Sequence, residues 1–267
     1  DTPDRVQHML WRSREPEHPA NRGRDANPAL AAAIEDQYRR GDEVVGQVLD
    51  HVDDRTLLIV LSDHGFSSFQ RQFHLNSWLH REGLLALKDG LSPGHGAGEF
   101  LQGIDWDRTQ AYAMGLGGLF LNLQGREGRG IVRPEDAGAL RRSIADKLSG
   151  ARDDERGRVA VRSARPREAV YSGPYVEEAP DVVVDYAPGH RVSWSSSMGG
   201  VADGPLHEDN VKKWSGDHCI DPSAAPGVLF MNRPFRRDGA SLLDLAPTIL
   251  HALGVEKGPQ MEGSPLR

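Results

Sequence analysis

Residues 56–66 read TLLIVLSDHGF, an apolar run that ends on a serine, an aspartate, a histidine and a glycine. An uninterrupted apolar run between polar neighbours is typical of a central strand in a parallel sheet, where both faces are buried. In open α/β sheets, ligands collect outside the carboxyl ends of the strands. Asp63 and His64 stand at such an end, and Gly65 lets the backbone turn sharply behind them. The pair is therefore a candidate ligand-binding site.

Two interpretations of this pair stay open. A carboxylate and an imidazole side by side suit Zn²⁺ or Mn²⁺, which accept oxygen and nitrogen ligands. Equally, the strand could end in an Asx-type turn that leaves the histidine exposed. Short motifs of this kind also arise by chance, so Asp63 and His64 alone do not decide the function.

Helix and strand patterns alternate along the rest of the chain. Helical spacing covers residues 29–52, and a second helix is predicted from Pro134 through Leu148 with acids in its first turn. The predicted strands are AYAM, GLFLNL, DVVVDY and GVLFMN, and the tail SLLDLAPTILHALG is a predicted helix. The Gly/Ser-rich residues 188–204 are predicted to form a long loop. This alternation predicts an α/β fold with a largely parallel sheet.

Length, composition and charge exclude several classes of protein for this chain. The chain has 267 residues, of which 38% are hydrophobic and 27% charged, as is typical of a folded globular protein. This length suits one large α/β domain, within which residues 97–200 are a candidate lid or insert. A net charge of −7 argues against binding to a nucleic-acid duplex. No apolar run reaches the roughly 20 residues of a membrane span, so no membrane association is expected.

Cys219 is the only cysteine in the chain. An intrachain disulfide and a cysteine-based zinc site are therefore both excluded. A chain without disulfides suits a reducing compartment, and the expected location is cytoplasmic.

A second pair of candidate ligands lies in the opening segment TPDRVQH. On a helix, residues i and i+4 share one face, so Asp4 and His8 can reach the same ion. Pro3 is a suitable residue for the first turn of that helix. The alternative is an ordinary surface helix whose first turn carries an acid because the helix dipole favours one there.

Asp217 and His218 form a third Asp/His element, in the polar turn SGDH that precedes the predicted strand GVLFMN. By itself, a histidine in such a turn is usually a solvated residue. Three Asp/His elements in one chain, two of them beside apolar strand-like runs, are what a metal cluster at one sheet edge requires. Taken together, the three elements favour a metal site.

The ordered set TPDRVQH, LSDHGF, SGDH followed by PGVLF, and LLDLAPTILHALGV…MEGSPL resembles the alkaline phosphatase superfamily. Within it, the chain is most similar to the type I phosphodiesterase/nucleotide pyrophosphatase branch, and the resemblance spans essentially the whole chain. It implies a three-layer α/β sandwich with a mostly parallel central sheet. Residues 1–267 would then be the C-terminal portion of this domain, with the sheet incomplete on its N-terminal side.

The resemblance also implies a set of metal ligands. It assigns Asp4, His8 and His218 to one divalent ion, and Asp63 and His64 to a second. Both ions are expected to be Zn²⁺, with Mn²⁺ as the alternative. A Thr or Ser alkoxide would attack a phosphoryl group held at this two-metal site.

The family pattern places that nucleophile, another metal-ligating aspartate and the first strands upstream of this chain. No catalytic nucleophile is therefore expected within residues 1–267, and Ser62 does not occupy the family position. Asp217 is expected to orient His218. His74 is expected either to lie near the substrate or to be structural.

The predicted function is that of a metal-dependent hydrolase portion that cleaves phosphodiester or pyrophosphate bonds in a small phosphate ester or a nucleotide. Related alternatives are a phosphomonoesterase, a phosphonate hydrolase, a sulfatase and a phosphoglycerate mutase. A non-catalytic metal-binding or structural fragment is the alternative from another class. An exposed sheet edge also predicts that the chain forms a homo-oligomer or pairs with the upstream half of the same protein.

Overall fold

The computed structural model of the protein describes residues 2–23, 27–235 and 239–266. The helices in this described part are α1 (Thr2–Leu10), α2 (Pro28–Leu49), α3 (Leu75–Arg81), α4 (Pro134–Leu148), α5 (Trp194–Ser197) and α6 (Leu245–Ala252). The strands in the same residues are β1 (Ile59–Leu61), β2 (Ser67–Phe73), β3 (Ala111–Ala113), β4 (Gly118–Leu121), β5 (Arg152–Asp153), β6 (Arg158–Val159), β7 (Val161–Pro166), β8 (Val182–Tyr186), β9 (Gly189–Val192), β10 (His207–Asp209), β11 (Gly216–Asp217) and β12 (Leu229–Met231).

Most of the predicted elements are confirmed, and with them the α/β class. Helix α4 has the predicted bounds, because Pro134 is preset for the first helical turn and two acids there complement the helix dipole. The predicted helix over residues 29–52 is confirmed as α2. The predicted strands AYAM, GLFLNL, DVVVDY and GVLFMN correspond to β3, β4, β8 and β12.

Strand pairing differs from the expected mostly parallel sheet. Seven of the eight strand pairings in the described residues are antiparallel, and only β2 with β9 is parallel. Parallel neighbours need a crossover of a dozen residues or more, whereas a short turn between strands produces an antiparallel pair. Strands β3 and β4 are joined by such a turn, and they continue into the antiparallel order β3-β4-β8-β7.

The loop predicted over residues 188–204 is wrong, because this segment contains β9 and the short helix α5. Strand β9 pairs in parallel with β2, which the sequence patterns did not indicate either. Both strands carry a buried arginine, Arg71 in β2 and Arg191 in β9. A hydrophobicity pattern therefore breaks at these residues although the backbone continues as a strand.

The chain divides into two compact units. The larger contains Asp1–Ile34 and Phe66–Ala225, and the smaller contains Glu35–Gly65 and Pro226–Arg267. The larger unit holds an apolar core built from strands β3, β4, β7 and β8 and from helices α3 and α4. Residues 97–200 lie inside this larger unit, and their role as a lid or insert stays a prediction.

Strand β1 in the smaller unit is not the central buried strand that its apolar sequence indicates. It pairs antiparallel with β12 in a two-stranded sheet, and Leu61 is 44% exposed. Ser62 continues this pairing, since its N–H donates to the Val228 carbonyl and its hydroxyl accepts from the Val228 N–H. Among the residues described, no helix combines the length and apolar character that crossing a bilayer would demand.

Three histidines of the larger unit have a lowered pKa. Burial is the largest cause at His18, His190 and His207, because the charged imidazolium would lose its water. At His18, Nδ1 accepts a hydrogen bond from the Ala20 N–H at 3.1 Å, and Nε2 lies 3.0 Å from the Phe69 carbonyl. This arrangement requires the neutral ring, because a proton on Nδ1 would break the first hydrogen bond.

We expect the free energy of unfolding to fall as the pH drops below 6.5, the ordinary pKa of these histidines. Between the folded and unfolded pKa values, the folded chain binds fewer protons than the unfolded chain, so protonation favours unfolding. The stabilisation is fully present above the unfolded pKa and is lost as the pH falls through the folded pKa. Each histidine contributes at most about 1.4 kcal/mol per pH unit.

Urea unfolding of the metal-free protein at about pH 7.5 and about pH 5.5 measures this dependence. Metal-free protein is needed because ion binding would add a pH dependence of its own. His18→Gln should reduce the difference in the free energy of unfolding between the two pH values. His95→Gln, at an exposed loop position, should leave this difference unchanged. A free energy of unfolding that is equal at both values would contradict the prediction.

Candidate metal centre

Helix α1 brings Asp4 and His8 together. The two residues are one helical turn apart, and His8 Nε2 lies 3.4 Å from Asp4 Oδ1. His8 is buried, whereas the Asp4 side chain is partly exposed. The predicted helix and the predicted common face of these residues are therefore confirmed as geometry.

A backbone carbonyl determines which nitrogen of His8 carries the proton. His8 Nδ1 lies 2.7 Å from the carbonyl oxygen of Gly216, which can only accept a hydrogen bond. Nδ1 therefore donates, and in the neutral ring Nε2 keeps its lone pair on the side of Asp4. This tautomer, with its second nitrogen held by a carbonyl, is the form in which histidine binds metal ions.

Gly216 lets helix α1 approach strand β11. A Cβ atom at this residue would lie 2.7 Å from the Gln7 carbonyl oxygen and 2.8 Å from Trp11 Cβ, so a larger residue would push the helix away. Strand β11 in turn pairs with the start of β2, at Ser68 and Ser67. These contacts place the turn after β11, which carries His218, next to helix α1.

His218 completes a cluster of three side chains with Asp4 and His8. Its Nε2 lies 3.6 Å from Asp4 Oδ1, and one ligand atom from each of the three residues lies within 4.8 Å of the others. Ligand atoms around a tetrahedral Zn²⁺ at about 2.0–2.1 Å are separated by about 3.3 Å. The two measured distances are close to that separation, so the side chains need only small movements to hold one ion.

The surroundings of the Asp4 carboxylate also favour a bound cation. Asp4 Oδ1 is buried, yet it accepts no hydrogen bond from any group in the described residues. A buried carboxylate oxygen without a donor is unfavourable unless a cation is bound there. Three protein ligands are also the number that catalytic zinc sites use, because the fourth position is then open to water or substrate.

Aromatic rings surround the His8 imidazole. Trp214 stacks on it with ring centroids 3.7 Å apart and an angle of 26° between the planes. Phe66 meets it edge-on at 4.7 Å. These rings hold the imidazole plane in place and exclude water from two of its sides.

Asp217 is tied to its surroundings through both carboxylate oxygens. Oδ1 accepts hydrogen bonds from the backbone N–H groups of His218 and Cys219, at 2.9 Å and 3.0 Å. Oδ2 accepts from Trp214 Nε1 at 2.8 Å and from Arg191 Nη1 at 2.5 Å. Burial alone would raise the pKa of Asp217, but the Arg191 charge and these hydrogen bonds outweigh it and lower the pKa to about 2.

Cys219 lies beside this carboxylate with its thiol protonated. Burial, followed by the negative charge of Asp217, raises the pKa of the Cys219 thiol to about 12. Because the thiolate is the form that binds metals, the thiol contributes little as a ligand at neutral pH. The ligand set is therefore described by one carboxylate and two imidazoles.

Asp63 and His64 belong to the smaller unit, where their local geometry resembles that of the first pair. His64 Nδ1 lies 2.9 Å from the Gly65 carbonyl oxygen, which directs Nε2 towards Asp63 Oδ2 at 3.7 Å. The Asp63 side chain is 80% exposed. His64 Nε2 and the Asp63 carboxylate therefore lie side by side in this loop.

His74 is not brought to the three-residue cluster. It follows the end of β2, whereas β11 pairs with the start of that strand. Strand β2 has seven residues, so its two ends are about 20 Å apart at roughly 3.3 Å per residue. His74 is buried there with Nε2 3.1 Å from Glu208 Oε2.

The sequence patterns missed Arg191, which neutralises the carboxylate beside the cluster. It lies in the segment predicted to be a loop, and an arginine in a Gly/Ser-rich context normally indicates exposure. Trp214 was missed as well, because an aromatic residue in a loop more often packs the loop onto the core than borders a binding site. The one available signal was an acid next to a candidate ligand, because such an acid requires a cation nearby if it is buried.

An α/β fold that brings one carboxylate and two imidazoles around a shared point is typical of metal-dependent hydrolases. The chain belongs to the type I phosphodiesterase/nucleotide pyrophosphatase family, whose model matches residues 1–220. This match confirms the resemblance to the alkaline phosphatase superfamily and identifies a phosphodiesterase/pyrophosphatase-type hydrolase. A search of the curated proteins found no significant match.

Proposed function

We propose that this chain supplies the metal-binding part of an enzyme that cleaves phosphodiester or pyrophosphate bonds. Asp4, His8 and His218 would hold one divalent ion, with Zn²⁺ preferred over Mn²⁺ because two of the three ligands are imidazoles. The observation that carries the proposal is the buried Asp4 Oδ1, which has two imidazole nitrogens at 3.4 Å and 3.6 Å and no hydrogen-bond donor among the described residues.

We propose further that Asp63 and His64 contribute ligands to a second ion. This part rests on the family motif and on the local geometry of the loop alone. When bound, such ions polarise the phosphoryl group and activate the attacking oxygen. The Thr or Ser nucleophile is proposed to come from sequence that precedes these 267 residues, since Ser62 does not occupy the family position.

The residues of the chain itself have defined tasks in this scheme. Asp4 provides the negative charge that attracts the ion, and His8 and His218 provide neutral nitrogen ligands. Trp214 and Phe66 keep water from the His8 ring, so electrostatic attraction at the centre is stronger than in solvent. A small phosphate ester or a nucleotide is the proposed substrate.

Zinc content by elemental analysis tests the first ion site. After dialysis against buffer without metal, we expect about one tightly held Zn²⁺ per chain. Asp4→Asn and His218→Ala should each lose this ion, because two remaining ligands are too few for a tight tetrahedral site. His95→Ala, at an exposed loop position, is the matched control and should retain it. Equal zinc content in His218→Ala and in the wild-type chain would refute the ligand assignment.

A further inference from the structure

A buried ion pair lies directly beside the candidate metal centre. Arg191 is 1% exposed and is the largest of the fully buried side chains in the described residues. Its guanidinium carbon lies over the rings of Phe69, at 4.5 Å from the centroid, and Trp194, at 4.0 Å. Two cation–π contacts and the ion pair to Asp217 therefore hold this charge in one position.

Asp217 has no capacity left to act as a metal ligand. An ionised carboxylate has about four lone-pair sites, and four donors already point at Asp217. Two of these donors are the backbone N–H groups of His218 and Cys219. The carboxylate therefore shapes the turn that carries His218, rather than binding the ion itself.

The same carboxylate also acts on His8, through Trp214. The indole Nε1–H donates to Asp217 Oδ2, which sets the rotation of the indole. The indole face then stacks on the His8 imidazole at 3.7 Å. Trp194 meets Trp214 edge-on at 6.0 Å and supports it from another side. One ion pair thus controls the positions of both histidines of the cluster.

We propose that Arg191, Asp217 and Trp214 are positioning residues that hold His8 and His218 ready for the ion before it binds. The proposal rests on the proposed function, in that an ion must bind at Asp4, His8 and His218. Histidines held in place lose less conformational freedom on binding, so the ion binds more tightly. Loss of such outer partners typically weakens metal binding about 10- to 100-fold.

Zinc affinity, measured by competition with a chromogenic chelator, tests this proposal with Zn²⁺ as the only ligand added. Trp214→Leu and Arg191→Met should weaken binding about 10- to 100-fold. Trp214→Phe keeps a ring over His8 but loses the Nε1–H, so its loss should be smaller. Trp106→Leu is the matched control, since Trp106 packs on Tyr112 in another part of the larger unit. It should bind zinc as tightly as the wild-type chain.

The absorption spectrum of the Co²⁺-substituted protein is the second measurement. A change in ligand angles alters the shape and intensity of the visible bands, whereas a loss of stability alone leaves the bands of the folded fraction unchanged. We expect altered bands in Trp214→Phe and Trp214→Leu and unaltered bands in Trp106→Leu. The Arg191→Met variant can fail to fold, because it leaves Asp217 buried without its cation. In that case the two Trp214 variants provide the test.

The outcomes separate this proposal from the proposed function. If the wild-type chain binds Zn²⁺ and both Trp214 variants bind it equally tightly with wild-type Co²⁺ bands, the positioning role is overturned and the proposed function stands. If the wild-type chain binds no Zn²⁺, both are overturned. Weaker binding with altered bands in the Trp214 variants, and not in Trp106→Leu, is the supporting result.

Discussion

Replacing His8 by alanine is expected to lower kcat/KM for a phosphodiester by roughly a thousandfold, or about 4 kcal/mol of transition-state stabilisation. The substitution removes the most deeply buried of the three proposed ligands and leaves Asp4 Oδ1 beside an empty volume. If the proposed site is reduced to Asp4 and His218, it would hold its ion weakly, so most of the enzyme would be inactive at any moment. Hydrolysis of bis(p-nitrophenyl) phosphate by the complete gene product, with added Zn²⁺, measures this effect.

A second substitution separates loss of metal from loss of structure. His8→Gln provides an amide N–H that can replace the donation to the Gly216 carbonyl, but it provides no imidazole nitrogen. It should fold more stably than His8→Ala while remaining as inactive. His95→Ala should keep wild-type activity. Activity of His8→Gln near the wild-type level would remove His8 from the ligand set.

The sequence predicted the proximity of Asp4 and His8 for a physical reason. The spacing of Asp4 and His8 matches the helical period, so their common face follows from local geometry without any knowledge of the rest of the fold. The proximity of His218 is different, because it depends on β11 packing against helix α1 at Gly216. That contact joins residues about 200 positions apart, so local patterns could suggest a shared metal site but only the family resemblance paired His218 with Asp4 and His8.

The strands that support the site were much harder to predict. Strand β2 reads SSFQRQF and strand β9 reads GHRV, and neither has an apolar run. Each is buried because its arginine is neutralised by an acid from a distant element, Asp153 for Arg71 and Asp217 for Arg191. Hydrophobic periodicity cannot detect such strands, because the partner that makes burial favourable is absent from the local sequence.

Strand β1 shows the opposite error. The run LLIVL predicted a buried central strand, yet β1 has one antiparallel partner and a partly exposed face. Apolar composition indicates that a segment can be buried, but it carries no information on which strands are its neighbours. The number of partners is a property of the whole sheet.

Replacing Arg71 by methionine is expected to lower the free energy of unfolding at neutral pH by about 3–5 kcal/mol. Arg71 donates two hydrogen bonds to Asp153, from Nε at 2.7 Å and from Nη2 at 3.1 Å, and Asp153 is 1% exposed. Burial would raise the pKa of Asp153, but Arg71 outweighs it and lowers the pKa to about 2. Methionine fills the volume without the charge, so the carboxylate would stay buried and uncompensated.

The pair of variants Arg71→Met and Arg71→Met/Asp153→Asn identifies the cause of this loss. If an unpaired buried charge is responsible, the second substitution should restore a large part of the stability, because asparagine carries no charge. Arg158→Met is the control, at an exposed position on strand β6, which pairs with the strand β5 that carries Asp153. It should change the free energy of unfolding by less than about 0.5 kcal/mol. Urea unfolding measures all three. A double variant no more stable than Arg71→Met would show instead that the ion pair with Asp153 contributes little, and that Arg71 stabilises β2 through packing or through its ion pairs with Asp209 and Glu155.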